Sequence, residues 1–153
     1  MAVNIFNVAD FFLNRVETEQ GGSITHLKLQ KLCYYAQAWF LALEDKKLFS
    51  DRFEAWVHGP VNPDLFQKYR DFQWQNLQSV TEFDSSVFSQ EELDHLEETW
   101  EIYGKYDGKY LEDLTHQEDP WILARDGYEP TERCNNVIDV NHMAMYYRSQ
   151  LED

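Results

Sequence analysis

The chain has 153 residues, 43% apolar and 16% aromatic, which suits one domain with a real core and excludes a disordered or low-complexity chain. Its net charge is −15: residues 1–78 carry 8 basic and 9 acidic side chains, and residues 79–153 carry 5 and 19, so the excess lies in the second half. That balance repels phosphate backbones and acidic lipid, which excludes nucleic acid and membranes as favoured partners; it serves solubility or attracts a basic protein.

The spacing of Ile5, Val8, Phe12 and Val16 predicts a first amphipathic helix over 4–17, with Asn4 or Asn7 as cap. Gln20-Gly21-Gly22-Ser23 reads as a flexible turn. Thr25 caps a helix over 25–44, whose apolar set Leu29, Leu32, Ala36, Trp39, Phe40 and Leu43 is joined by Leu27, Cys33, Tyr35 and Ala38. A helix apolar on so much of its circumference is central. Its polar remainder is Lys28, Lys31 and Tyr34, with the two lysines three apart and adjacent on the surface.

Residues 48–51 and 53–57 are partly alternating and read as extended or as a single helical turn, and His58-Gly59-Pro60-Val61 reads as a turn. Asn62-Pro63 starts a helix to about Asp71, with Leu65, Phe66 and Tyr69 inward. Residues 73–88 read as a loop with a short strand at Leu77–Thr81. Ser89-x-x-Glu92 is a capping box opening a helix to Tyr103, with Leu93, Leu96, Trp100 and Tyr103 on one face and Glu91, Glu92, Asp94, Glu97, Glu98 and Glu101 on the other. Further helices are predicted near 109–116, from a cap followed by Pro at Asp119-Pro120, and from Asp139 or Asn141 to about 151, with Ala144, Tyr147 and Leu151 inward. A loop covers 127–136. The fold class is mainly α: a single compact domain over 1–153, of five to seven helices, with at most a small β element around 48–61 and 77–81.

No glycine-rich phosphate loop, nucleophile elbow or HExxH is present. Cys33 and Cys134 form neither a metal pair nor a disulfide framework, no basic region precedes an apolar stretch at Met1–Phe6, and no stretch is long enough to span a bilayer, which together point to the cytoplasm. His95-x-x-Glu98 has a helical ligand step but stands alone, so no metal, cofactor or catalytic residue is assigned. His116, beside Glu118 and Asp119, reads either as a turn-locking side chain or as an imidazole oriented by one of those carboxylates, and His58 before Gly59-Pro60 reads alike. Trp39, Trp56, Trp100 and Trp121 read as core, with Trp56 and Trp121 near enough to turns for one to be an exposed anchor.

The run from Ile24 to Trp39 (ITHLKLQKLCYYAQAW), Leu48-Phe49, Glu54-Ala55-Trp56-x-x-Gly59-Pro60-Val61 and Thr115-His116-x-Glu118-x-Pro120-Trp121 resemble the Panacea domain, the SocA-like or GepA-like antitoxin family common in prophages and mobile elements. The order and spacing of these blocks cover about 3 to 150. The resemblance implies a non-enzymatic helical antitoxin that neutralises a cognate protein toxin, encoded by the adjacent gene, through direct contact. It also implies that some members hand their partner to a protease or regulate transcription. The toxin-binding residues this reading selects are Lys28, Lys31, Tyr34, Trp56, His58, Gly59, Pro60, Val61, His116 and Trp121. The rival readings are a protease adaptor or regulator of a mobile element, and a hydrolase built on His58, His116 and Asp119.

Overall fold

The computed structural model describes residues 3–17, 24–73, 75–80 and 82–151, without the side chains of Val16 and Glu17. The expected turn at 20–23, the Val16 side chain and Thr81 lie outside them. Among the described residues the elements are α1 (Ile5–Glu17), α2 (His26–Glu44), β1 (Glu54–Trp56), β2 (Gly59–Val61), α3 (Pro63–Tyr69), α4 (Gln90–Tyr103), α5 (Gly108–Thr115), α6 (Asp119–Ala124) and α7 (Val140–Ser149). The mainly helical class is as expected, and no described helix is long and apolar enough to cross a membrane.

Local chemistry sets most helix starts. Asn4 and Asn7 exchange side-chain-to-backbone hydrogen bonds at the head of α1, at 2.9 and 3.0 Å. Thr25 accepts from the Lys28 N–H, Asn62 from Leu65 with Pro63 behind it, Asp107 from Tyr110, and Asp139 from Asn141. The Ser89–Glu92 capping box is complete in both directions. α6 departs from expectation: its N-cap is Glu118, one residue earlier than Asp119, and the Glu118 side chain makes no capping bond because it is engaged in the core.

α2 runs through the middle, touching α1, α3, α4, α5, α7 and β2. β1 and β2 form a hairpin with Glu54 opposite Val61 and Trp56 opposite Gly59, so the turn is Val57-His58 and Gly59–Val61 is strand. The outer edge of β1 is covered by Asn136 and Ile138: Ala55 N–H donates to Asn136 and Ile138 N–H to Phe53. Of the strand expected at Leu77–Thr81, the described residues 77–80 form none. Leu77 makes one backbone bond to Ile24, and only an isolated bridge joins Thr25 to Asn76. Two further expectations fail by burial: Leu43 and Leu151 are exposed, since α2 and α7 end beyond the core, and Met143 takes the inward place on α7.

The centre holds a polar knot. Glu118 accepts from Tyr35 OH at 2.8 Å and from Tyr147 OH at 2.7 Å, and Tyr147 OH lies 3.2 Å from Tyr34 OH. Tyr103 stacks on Tyr35 at 4.1 Å and accepts from Trp39 Nε1 at 2.8 Å. α2, α4, α6 and α7 meet here. Burial raises the Glu118 pKa above 4.5, with the two tyrosine bonds opposing. The native carboxyl therefore holds its proton more tightly than the unfolded one. Its contribution to stability is full below 4.5 and declines as pH rises through the raised value.

Tyr147→Phe is expected to lower the unfolding free energy by about 1 kcal/mol, and Glu118→Ala by about 3 kcal/mol because it strands two buried hydroxyls. Urea unfolding followed by tryptophan fluorescence reads both, and Glu118→Gln should remove the decline with pH.

Candidate functional site

The blocks 54–61 and 115–121, far apart in sequence, are brought together over α2 by a chain of polar contacts. Gly59 adopts φ +103°, and a Cβ there would lie 2.6 Å from Lys31 Cε and 2.9 Å from Thr115 Oγ1. The hairpin can lie so close to α2 and α5 only because that residue is glycine. Lys31 Nζ, fully buried, donates to the Pro60 carbonyl at 3.1 Å. Burial pushes its amine down to about 7, against the opposing pull of Glu112.

Glu112 of α5 is itself buried. Its Oε2 lies 3.1 Å from His58 Nδ1 and 3.6 Å from Lys109 Nζ. His116 caps the end of α5 and stacks on Trp121 with ring centroids 4.1 Å apart. Burial lowers the His116 pKa, with the Glu112 charge and a backbone bond to Val57 opposing. Trp121 Nε1 donates to the Trp56 carbonyl at 2.8 Å, and the Arg125 guanidinium lies 5.0 Å from the Trp121 ring. Arg125 donates in turn to Ala55 at 2.7 Å, to Glu129 at 2.8 Å and to the Glu132 carbonyl, tying α6 and the loop after it to β1.

A pocket of about 280 Å³ opens beside the hairpin between α2 and α3. Trp56 and Phe66 meet edge to face at 4.9 Å in its wall, and Trp56 Nε1 is held by Glu54 at 2.9 Å. His26 forms part of the lining and is held by Gln30 at 3.0 Å; burial, then Lys31, lowers its pKa to about 4, so it is neutral at pH 7.

The ten residues selected from sequence divide by exposure. Lys31 and Tyr34 are not part of a solvated strip: both are fully buried, Lys31 under the hairpin and Tyr34 against Phe53 and Tyr147. Lys28, half-buried, points the other way and donates to the Gly104 carbonyl at 2.5 Å, with its ammonium 5.4 Å from the Trp100 ring. Gly59, Pro60, Val61 and Trp121 are buried, His58 is exposed, and Trp56 and His116 are half-buried. The expected pairing of His116 with Glu118 or Asp119 does not occur, since Glu118 turns inward to the tyrosines.

Sequence reasoning missed Glu112, Thr115 and Arg125. Glu112 and Thr115 are three apart on α5 and both face inward beside Leu111, a polar pair on an apolar helix face that could have flagged them. Ligand atoms of Glu112, Asp113 and His116 lie within 4.8 Å of one another, the donor types a divalent cation takes, but Glu112 is already matched by His58, Lys109 and the Lys31 amine behind it.

Gly59→Ala is expected to cost about 1–3 kcal/mol from its backbone angle alone, and more if Lys31 must move; thermal unfolding measures it. Between pH 7 and 10.5 the unfolded chain binds the proton that folded Lys31 has released, so stability should rise with pH across that window. The slope is up to about 1.4 kcal/mol per pH unit. Lys31→Met should lose that rise in a pH series of denaturant melts.

A family model described as Antitoxin SocA-like, Panacea domain matches residues 29–122, more than half of the chain. Antitoxin SocA of Caulobacter vibrioides (strain NA1000 / CB15N) is 43% identical over 44 residues, covering 29% of this chain. The match spans 23% of that relative's own length. No solved structure matches. The matched segment reaches from the first turn of α2, through the hairpin, to Ile122 in α6, and so includes Lys31, Gly59, Glu112, His116 and Trp121; on that match the chain belongs to the SocA-like antitoxin family with a Panacea domain.

Proposed function

We propose that this chain is an antitoxin that neutralises a protein toxin by direct contact, without catalysis, in the cytoplasm. The observation that carries the reading is the family match across the segment that builds the hairpin and α5–α6. The partner's gene is read as adjacent to that of this chain, as in mobile elements, with the whole of 1–153 acting as one domain. Protease delivery or a regulatory role in such an element is the rival outcome.

The contact face we assign is the hairpin turn and its surroundings. His58 and Trp56 present side chains to solvent, and His116 lies beside them at the end of α5. Lys31, Gly59, Pro60, Val61 and Trp121 serve the same contact from beneath, through the hairpin backbone on which the exposed members stand, whereas Tyr34 is packed away from it against Phe53 and Tyr147. Lys28 belongs to this set only through α2, as its ammonium sits at the end of α4. A rigid half-buried tryptophan beside a turn is the kind of group that dominates protein contacts.

One observation favours the hydrolase reading: His58 and His116 do converge, both beside Glu112. The Thr115 hydroxyl is committed to the Glu112 backbone carbonyl at 2.7 Å, and the Glu112 carboxylate is already engaged by His58 and Lys109. That arrangement supports a structural or binding role better than proton transfer.

Co-expression with the neighbouring open reading frame tests the proposal. The wild-type chain should restore growth and co-purify in a fixed ratio with a neighbour that is toxic alone. Trp56→Ala and His58→Ala should each weaken the complex by about tenfold or more, as anchor truncations do, with circular dichroism unchanged. A neighbour that is harmless alone, or full protection by both variants, overturns the assignment of function or of face respectively.

A further inference from the structure

The pocket beside the hairpin has a lining unlike the rest of this chain. Leu27, Val61, Trp56 and Phe66 supply its apolar surface, and the exposed side chains His58 and Arg70 stand at its border. Among the described residues none that lines it is a carboxylate, although 28 of 153 residues are Asp or Glu. The nearby carboxylates are occupied: Glu54 takes Trp56 Nε1 and Arg52, at 2.9 and 3.1 Å, and Glu112 takes His58 and Lys109. Arg70 has one ion-pair contact, to Asp71 at 3.9 Å, and that carboxylate is almost fully exposed to water. A surface pair at such a distance is weak and easily exchanged for another carboxylate.

Size narrows the occupant. Pockets for whole drug-sized ligands run from about 300 to 1,000 Å³, whereas this one is about 280 Å³ and open on one side. That volume gives ample room for one large apolar side chain. Its wall is preformed, because the Trp56 ring is fixed by Glu54 and by its edge contact with Phe66. Entry then costs little side-chain ordering on this side of the contact.

Charge decides what accompanies that side chain. An acidic group approaching a molecule of net charge −15 is repelled by most of its surface, above all by the outward carboxylates of α4. The rim at Arg70 and His58 is the place where the same group finds cationic or neutral donors and no competing carboxylate in the lining. Such contrast between a site and its surroundings sets register and excludes alternative dockings.

We propose that this pocket anchors the partner protein through one large apolar side chain flanked by a carboxylate, the apolar group lying against Trp56 and Phe66 and the carboxylate pairing with Arg70. This inference rests on the antitoxin reading for the partner's identity as a toxin, and on the pocket itself for the chemistry of the anchor. It adds α3 and the residues just after it to a contact otherwise assigned to the hairpin and α5–α6.

Two measurements on the full chain separate the two readings. In the first, 15N-labelled protein is titrated with the capped peptide Gly-Ser-Phe-Asp-Glu-Ser-Gly, and with twins carrying Phe-Asn-Gln or Ala-Asp-Glu at its centre. The parent peptide should shift the Trp56 indole and the Phe66 and Arg70 amides, and bind about tenfold more tightly than either twin, the worth of one modest ion pair or one aromatic anchor. Arg70→Glu should abolish the shifts, and Arg70→Lys should keep them. Equal binding of the Phe-Asn-Gln twin, shifts confined to another surface, or no shift at millimolar peptide overturns the proposal. In the second, Arg70→Glu, an exposed change that should leave circular dichroism unaltered, is tested in the co-expression assay. If the wild type protects and Arg70→Glu binds the toxin about tenfold or more weakly, the anchor is supported. Equal protection and equal affinity overturn the anchor while the antitoxin reading stands. Failure of the wild type to protect overturns the antitoxin reading, and the peptide titration then decides the pocket alone.

Discussion

α2 is covered on nearly every side, and most of its buried polar side chains find partners in distant parts of the chain. Gln30, which also holds His26 at 3.0 Å, reaches Asn62 at the head of α3, and the two exchange bonds of 2.9 and 3.2 Å. Lys31 reaches the Pro60 carbonyl in the hairpin, and Gln37 brackets the chain at Leu48 and Phe49. Tyr35 reaches Glu118 before α6, and half-buried Trp39 reaches Tyr103 at the end of α4. A buried polar group without a partner costs about 1–3 kcal/mol. Each of these contacts therefore excludes arrangements in which its element has slipped. Apolar packing alone would make α2 central, but the polar set specifies which element lies where along it.

The same constraint explains the position of the hairpin. β1 and β2 are three residues each, too short to be stable alone. They are held from below by Lys31, from one edge by Asn136 and Ile138, and from the α6 side by Trp121 and Arg125. The strand carbonyls thus spend their hydrogen bonds on side chains of helices and loops rather than on a wider sheet. The result is a well-tethered two-stranded platform whose turn carries the exposed His58 beside α5. That is how a mainly helical domain displays a turn with little freedom to lose on binding.

Electrostatics divides the surface. The outer face of α4 bears Glu91, Asp94, Glu98 and Glu101, which have little local compensation beyond the exposed pair of Glu91 with Lys46 at 3.5 Å. The hairpin side is different: of its buried carboxylates, Glu54 is held by Trp56 and Arg52, and Glu112 is set among His58, Lys109 and the Lys31 amine. A partner therefore meets two chemically distinct regions, one strongly acidic and one nearly balanced with an apolar recess. The first governs long-range approach and the second short-range fit.

The sequence by itself determined the helices, because their signals are local. Thr25, Asn62-Pro63, Ser89-x-x-Glu92 and Asp139 each satisfy backbone donors within three residues, and the apolar spacing of α2 required neighbours all round. The resemblance to the antitoxin family was also legible, and the family match over 29–122 bears the family out. Tertiary structure alone decided the roles of single polar residues. Lys31 and Tyr34 read as solvated from helical spacing, but the hairpin and α7 cover them. Glu118 read as a partner for His116, yet Tyr35 and Tyr147 outcompete it inside the core. Leu77 read as strand, yet among the described residues it donates one backbone bond, to Ile24, and belongs to no strand. Spacing along one element fixes a direction in space, whereas burial and pairing depend on what another element brings from about 30 to 110 residues away.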